Sequence, residues 1–204
     1  MRNSRDVKRS EEKMCKKIQE LNGLNVNEIL NQYWTRNTVP VDIAEILYKM
    51  DVQVHKFDFS EIEDKLNVSN GEILGAVIAK DDKLAIMYKE GETLHRTRFT
   101  LAHELAHCCL EHIQPSQKRY IEFRTKHNCS STKEEIAANI FAGELLIPEQ
   151  ELAIILQQYF PKTFPFSEVL ARFFMVSTNV MEERLKHLKI PFIDRENRKI
   201  ICLT

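Results

Sequence analysis

The chain has 204 residues, 43% of them apolar and 29% charged, the balance of a soluble globular protein with room for a sizeable core. A formal net charge of −1 gives no global attraction for nucleic acid or for an anionic membrane. No apolar run approaches the ~18 residues a membrane helix needs, the charged N-terminus lacks a secretory core, and five scattered cysteines make neither a disulfide framework nor a CxxC zinc knuckle, so a reducing cytoplasm is the expected home.

Residues 1 to 22 mix Lys, Arg and Glu with sparse apolar positions at Val7, Met14, Ile18 and Leu21. This predicts a surface helix or arm with a solvated face. Gly23 and the Asn residues beside it break the pattern. A weaker apolar set follows at Val26, Ile29, Leu30, Tyr33 and Trp34. Pro40 suits a first helical residue ahead of Ile43, Ile46, Leu47 and Met50. The period then becomes alternating, with a short strand expected at Val52, Val54 and Phe57. Residues 58–70 are polar and read as loop or a short helix. Residues 73–79 and 84–88 are apolar runs of strand length, with 80–83 as the hairpin turn. Residues 84–88 are the expected exposed edge of a small antiparallel or mixed sheet, where an extended peptide adds as a further strand. Lys83 and Lys89 flank that run, as charges that blunt an edge often do.

A helix is expected to start near Thr93, after the break at Gly91. It carries His103-Glu104-Leu105-Ala106-His107, an H-E-x-x-H pattern. On a helix the two histidines lie one turn apart on one face and can share a zinc ion. Glu104, next to the first of them, can reach a water in the ion's open position. Phe99, Ala102, Ala106 and Leu110 recur at helical spacing beside the histidines, which puts the ligands on a buried stripe. Cys108 and Cys109 next to the motif read as core packing, with a redox-sensitive thiolate as the rival reading.

Residues 113–131 look irregular and are expected to form a loop bordering the cleft. From Thr132 a second helix runs through Ile136, Ala137, Ile140, Phe141 and Leu145 towards Pro148. Thr132 and Glu135 have capping-box spacing. Further helical patterns cover residues 152–159, 169–174 and 180–188. Residues 190–203 suit a strand pair with its turn at 194–197. The organisation expected is a charged helical extension (1–37), a metallopeptidase core (38–150) and a helical C-terminal subdomain (151–204). Residues 170–188 resemble a helix-turn-helix, but Glu182 and Glu183 would face phosphates badly. A structural helix pair is therefore expected there, and not direct nucleic-acid binding.

A catalytic zinc site needs a third protein ligand. The extended H-E-x-x-H-x-x-G-x-x-H form fails, because Leu110 and Ile113 occupy the glycine and last histidine positions. His112 is one residue out of step and is expected to point elsewhere. His127 falls in the polar loop. Glu135 is better placed, since Ala138, Ala142 and Gly143 give its helix a small face that can pack on Ala102 and Ala106. Asn139, one turn on, can accept the free N–H of a ligand histidine and fix its ring. Glu134 is the alternative ligand, and a capping-box role competes for Glu135. A second oxyanion donor is expected among His95, Tyr88 and His127.

Two blocks, residues 98–107 (RFTLAHELAH) and 135–148 (EIAANIFAGELLIP), resemble the ImmA/IrrE family of metallopeptidases. Residues 41–47 fit the family's start, and 170–177 with 184–188 fit its tail, so the likeness spans roughly residues 38–190. The resemblance implies an α+β, zincin-like fold of gluzincin type. It implies a Zn2+ cofactor held by His103, His107 and Glu135, and Glu104 as the base. It also implies cleavage, or at least inactivation, of a helix-turn-helix repressor serving a mobile element or a stress-response operon. Two rivals remain: a regulatory binding protein that keeps the zinc but does not cut, and a toxin–antitoxin partner acting on another target.

Overall fold

The structure is a computed structural model that describes residues 16–80, 83–113, 119–125, 132–194, 196 and 198–202. Three short helices come first: α1 (Lys16–Leu21), α2 (Val26–Tyr33) and α3 (Ile43–Lys49). Then follow β1 (Gln53–Phe57), α4 (Ser60–Leu66), β2 (Ile73–Lys80), β3 (Lys83–Lys89) and the long helix α5 (Leu94–Cys109). The second half holds β4 (Arg119–Thr125), α6 (Lys133–Leu146), α7 (Glu149–Tyr159), α8 (Ser167–Phe174), α9 (Thr178–His187), β5 (Phe192–Ile193) and β6 (Ile200–Ile201).

Local chemistry sets many of these boundaries. Asn25 and Glu28 form a reciprocal capping box that starts α2. Pro40 is not the first residue of α3. The cap is Asp42, whose side chain accepts the Glu45 N–H at 3.1 Å. Thr93 caps α5 and Thr132 caps α6, as their positions ahead of the apolar pattern predict. Residues 58–70 contain the short helix α4.

The sheet is mixed, in the order β1-β3-β2-β4. β2 and β3 form the expected antiparallel hairpin, closing at the Lys80–Lys83 pair. Asp81 and Asp82, at its tip, lie outside the described residues. β3 is not an edge. It pairs with β2 on one side and, in parallel, with β1 on the other, from Gln53–Ala85 to Phe57–Lys89. No row of free main-chain groups is left on residues 84–88, so a substrate strand cannot dock there. The edges of this sheet are β1 and β4. β4 corrects a second expectation, because it places a strand inside the stretch read as loop.

Strand alternation gives the sheet two faces. Val77, Ala79, Leu84 and Ile86 join the main core, and Tyr88 packs against it. The opposite face carries Ala76 and Met87, packed with Phe59, Ile62 and Phe123. Helix α5 lies on β2 and β3, and α6 packs along α5. The main core is continuous from Ile18 to Phe192. Ile18 and Leu21 are buried while Gln19 and Glu20 are exposed, so the last turn of the charged N-terminal stretch packs its apolar side inward and keeps a solvated face. Residues 1–15 lie outside the described residues.

The tail helices are tied to this core by two buried arginines. Arg98 on α5 donates from Nε to the Met175 carbonyl at 3.1 Å and from Nη2 to the Phe174 carbonyl at 3.3 Å. Burial pulls its pKa down, with Asp42 acting in the other direction. Arg184 on α9 reaches the Ile147 carbonyl and pairs with Glu144 of α6 at 3.0 Å. The α8–α9 pair is thus anchored to α5 and α6. The short β5–β6 pair closes the described chain. The fold is α+β and zincin-like, with a small mixed sheet under a long helix that carries the H-E-x-x-H pattern.

Candidate metal centre

The centre is built where α5 and α6 cross. Small residues allow the close approach: Ala102 and Ala106 on α5, Ala138 and Ala142 on α6, all fully buried. That contact brings Glu135 against the two histidines. Glu135 Oε2 is 3.2 Å from His103 Nε2, and Oε1 is 3.3 Å from His107 Nε2. The two Nε2 atoms are 2.9 Å apart. The three residues form a cluster whose ligand atoms all lie within 4.8 Å of one another. Glu134 is exposed and outside it.

Thr132 Oγ1 accepts the Glu135 N–H at 3.1 Å, which is half of a capping box. The Glu135 carboxylate supplies no second half. It turns to the histidines of α5.

Ring chemistry tests whether the cluster fits a metal. The Asn139 Oδ1 atom is an acceptor 2.9 Å from His103 Nδ1. His103 therefore carries its proton on Nδ1 and presents a lone pair at Nε2. His107 has an equivalent neighbour. His112 Nδ1 is 3.1 Å from His107 Nδ1, and the rings meet edge-on with centroids 5.0 Å apart. His112 stays outside the cluster, as its spacing implied, but its ring sits behind that of His107. With both Nδ1 atoms occupied in this way, two imidazole lone pairs and a carboxylate converge on one point. Such a set of acceptors needs a cation between its members. Ligand bonds of about 2.0–2.1 Å to a tetrahedral ion place ligand atoms roughly 3.3 Å apart, close to what is seen. Two nitrogens and one carboxylate suit a divalent transition metal.

Glu104 is 3% exposed and lies outside the cluster, at the next position on α5 after His103. The sheet makes room for it at Gly75. A Cβ at Gly75 would come within 2.7 Å of Thr100 Cγ2, 3.1 Å of Glu104 Oε1 and 3.2 Å of the Met87 carbonyl. A glycine inside a strand often marks such a close approach. The β2–β4 ladder also shifts register between Ile73 and Gly75. Sequence reasoning did not mark Gly75, and it weighed His112 only as a ligand, not as a neighbour of His107. The only signal for Gly75 was its place in the middle of an apolar strand.

Of the three candidate oxyanion donors, Tyr88 pairs directly with Gly75 and so shares the α5-facing side of the sheet. His95 is exposed on the first turn of α5. His127 lies outside the described residues. The cysteine pair packs as core. Burial pushes the Cys109 thiol up to about 12, which suppresses the reactive thiolate. Cys108 Sγ donates to the Glu104 carbonyl at 3.4 Å.

No helix among the described residues is long and apolar enough to cross a membrane. The comparison with curated proteins gives no match. The sequence profile of the IrrE N-terminal-like domain, peptidase family M78, matches residues 49–186, a span that takes in the sheet, α5, α6 and nearly all of α9. A peptidase family profile laid over a three-residue cluster able to hold a metal ion points to a metallopeptidase, and the chain belongs to the M78 family of IrrE N-terminal-like domains.

Proposed function

We propose that the protein is a cytoplasmic zinc endopeptidase that cleaves, or at least inactivates, a helix-turn-helix transcriptional repressor. The observation that carries this reading is the pairing of the His103–His107–Glu135 cluster with a buried carboxylate, Glu104, on the same helix. A protein that only held a metal would have no use for Glu104 beside it.

His103, His107 and Glu135 would hold the zinc. When bound, the ion lowers the pKa of water to about 7 and polarises a carbonyl oxygen. Glu104 does the proton work. One carboxylate oxygen takes a proton from the water that attacks the peptide carbonyl carbon. The same oxygen then returns that proton to the departing amine nitrogen as the C–N bond breaks. Asn139 holds the His103 ring in the tautomer that keeps Nε2 free for the metal. The free thiols of Cys108, Cys109 and Cys202 suit a reducing compartment. The repressor as substrate rests on the family likeness.

The test is incubation of the purified protein with helix-turn-helix repressors from the same genome, those encoded nearest its gene first, with and without chelator. Discrete repressor fragments, lost on chelation and restored by zinc, are the expected result. Repressors that all stay whole in every arm would sink the proposal.

A further inference from the structure

Helix α5 ends in a way that bears on its metal ligand. Leu110 is the C-cap, and Glu111 follows with φ +60°, the left-handed conformation that reverses the chain. The His112 N–H then donates to the His107 carbonyl at 3.2 Å. This is the Schellman closure, which sets the second residue past the cap against the residue five positions earlier. The same backbone bond closes α3, α4, α8 and α9. At α4 it joins Val68 to Glu63, and at the other three the joined residues are apolar: Val52 with Leu47, Val176 with Ala171, Ile190 with Leu185. That is the usual pairing, a hydrophobic contact that seals the helix end. At α5 the two joined residues are histidines, and one of them belongs to the metal cluster.

We infer that His112 is a positioning residue for the metal, acting through His107. The inference rests on the metal-centre reading above. His107 Nε2 faces Glu135 and His103, so its lone pair must point at the ion. The ring proton then sits on Nδ1 and is donated to His112 Nδ1, 3.1 Å away. His112 carries its own proton on Nε2. It is not a fourth ligand, because it meets the nitrogen of His107 that points away from the cluster. Asn139 on α6 does the same for His103. Each ligand imidazole is thus held by a hydrogen bond behind it, one from a neighbouring helix and one from the cap of its own. Such bonds fix the tautomer and ring angle and raise the basicity of the ligand nitrogen.

Two substitutions separate this role from helix capping. His112→Leu puts an apolar residue where Val52, Val176 and Ile190 stand at the ends of α3, α8 and α9, and removes the acceptor. His112→Asn keeps an acceptor, Oδ1, near the position of Nδ1. Zinc affinity is read by competition with a chromogenic chelator, and folding by thermal melting of the metal-free protein. The leucine variant should melt no lower than wild type and bind zinc about 10- to 100-fold more weakly. The asparagine variant should recover most of that loss. A leucine variant that holds zinc as tightly as wild type overturns the inference, and so does an asparagine variant as weak as the leucine one. A wild-type protein that binds zinc but cuts no repressor counts against the peptidase reading alone.

Discussion

The Glu135 N–H donates to Thr132 Oγ1 at 3.1 Å while the Glu135 side chain lies 3.2 Å and 3.3 Å from two histidines on another helix. The cap fixes the start of α6, and the start of α6 fixes where the carboxylate lands. The purified protein should therefore hold about one zinc per chain through three protein ligands. Glu135→Ala should lose the metal and Glu134→Ala should keep it. Metal analysis of the two variants side by side decides between them: zinc lost only with Glu134 would reverse the assignment.

Glu104→Gln should retain zinc and lose cleavage. The amide fills the same buried space but cannot take a proton. The expected drop in kcat is at least ~10²-fold, the lower end for general-base catalysis. Unchanged relief of repression by this variant in cells would place the protein with regulators that capture without cutting.

The α5 cluster was legible in the sequence because each part of it is local. Helical spacing sets His103 above His107, Thr93 marks the start, and the alanines announce a close neighbour. Glu135 was legible for a related reason, since its helix shows a small face. The sheet order was not. Residues 84–88 have the same apolar run whether one strand or two lie beside them. The parallel partner β1 arrives from 53–57 across an intervening helix, and no local signal encodes that return. β4 was hidden by its own composition, because Arg119, Glu122 and Arg124 among Tyr120, Ile121 and Phe123 read as a mixed charge run. That His112 is no ligand was legible from its spacing, but its seat behind His107 was not, because the helix ends before it. The reversal hinges on Glu111 at positive φ, a conformation usually announced by Gly or Asn.

Gly75→Ala should be costly. The new methyl would sit 2.7 Å from Thr100 Cγ2, too close for any unshifted packing. Overpacking of this kind costs about 1–3 kcal/mol. Thr100→Ser removes the obstructing methyl, so the double variant should recover stability in denaturant melts. The carbon at Gly75 would still lie 3.1 Å from Glu104 Oε1. Cleavage should accordingly recover less than stability does. Full recovery of both would show that Gly75 serves packing only.

Glu63 supplies a pH test of the sheet's second face. It is 1% exposed on α4, and its carboxylate accepts the Gly71 N–H at 2.8 Å and the Ile73 N–H at 2.7 Å. Burial by itself would raise its pKa. The backbone bonds, with help from Lys89, outweigh burial and hold it below the usual value of 4.5. The sign follows from linkage. A carboxyl whose pKa is lowered on folding stabilises the fold fully above its unfolded pKa, and that stability is lost as pH falls through the folded value. Two charge-assisted bonds would be weakened in Glu63→Gln, so at pH 7 the variant should be less stable by about 1.5–3 kcal/mol. The gap between wild type and variant should stay constant down to about pH 5 and narrow steadily below 4.5, the ordinary value for this side chain. Urea melts from pH 7 to pH 3 measure it. A gap that stays constant through the acid range would mean the carboxylate charge does not hold the Gly71–Ile73 turn against α4.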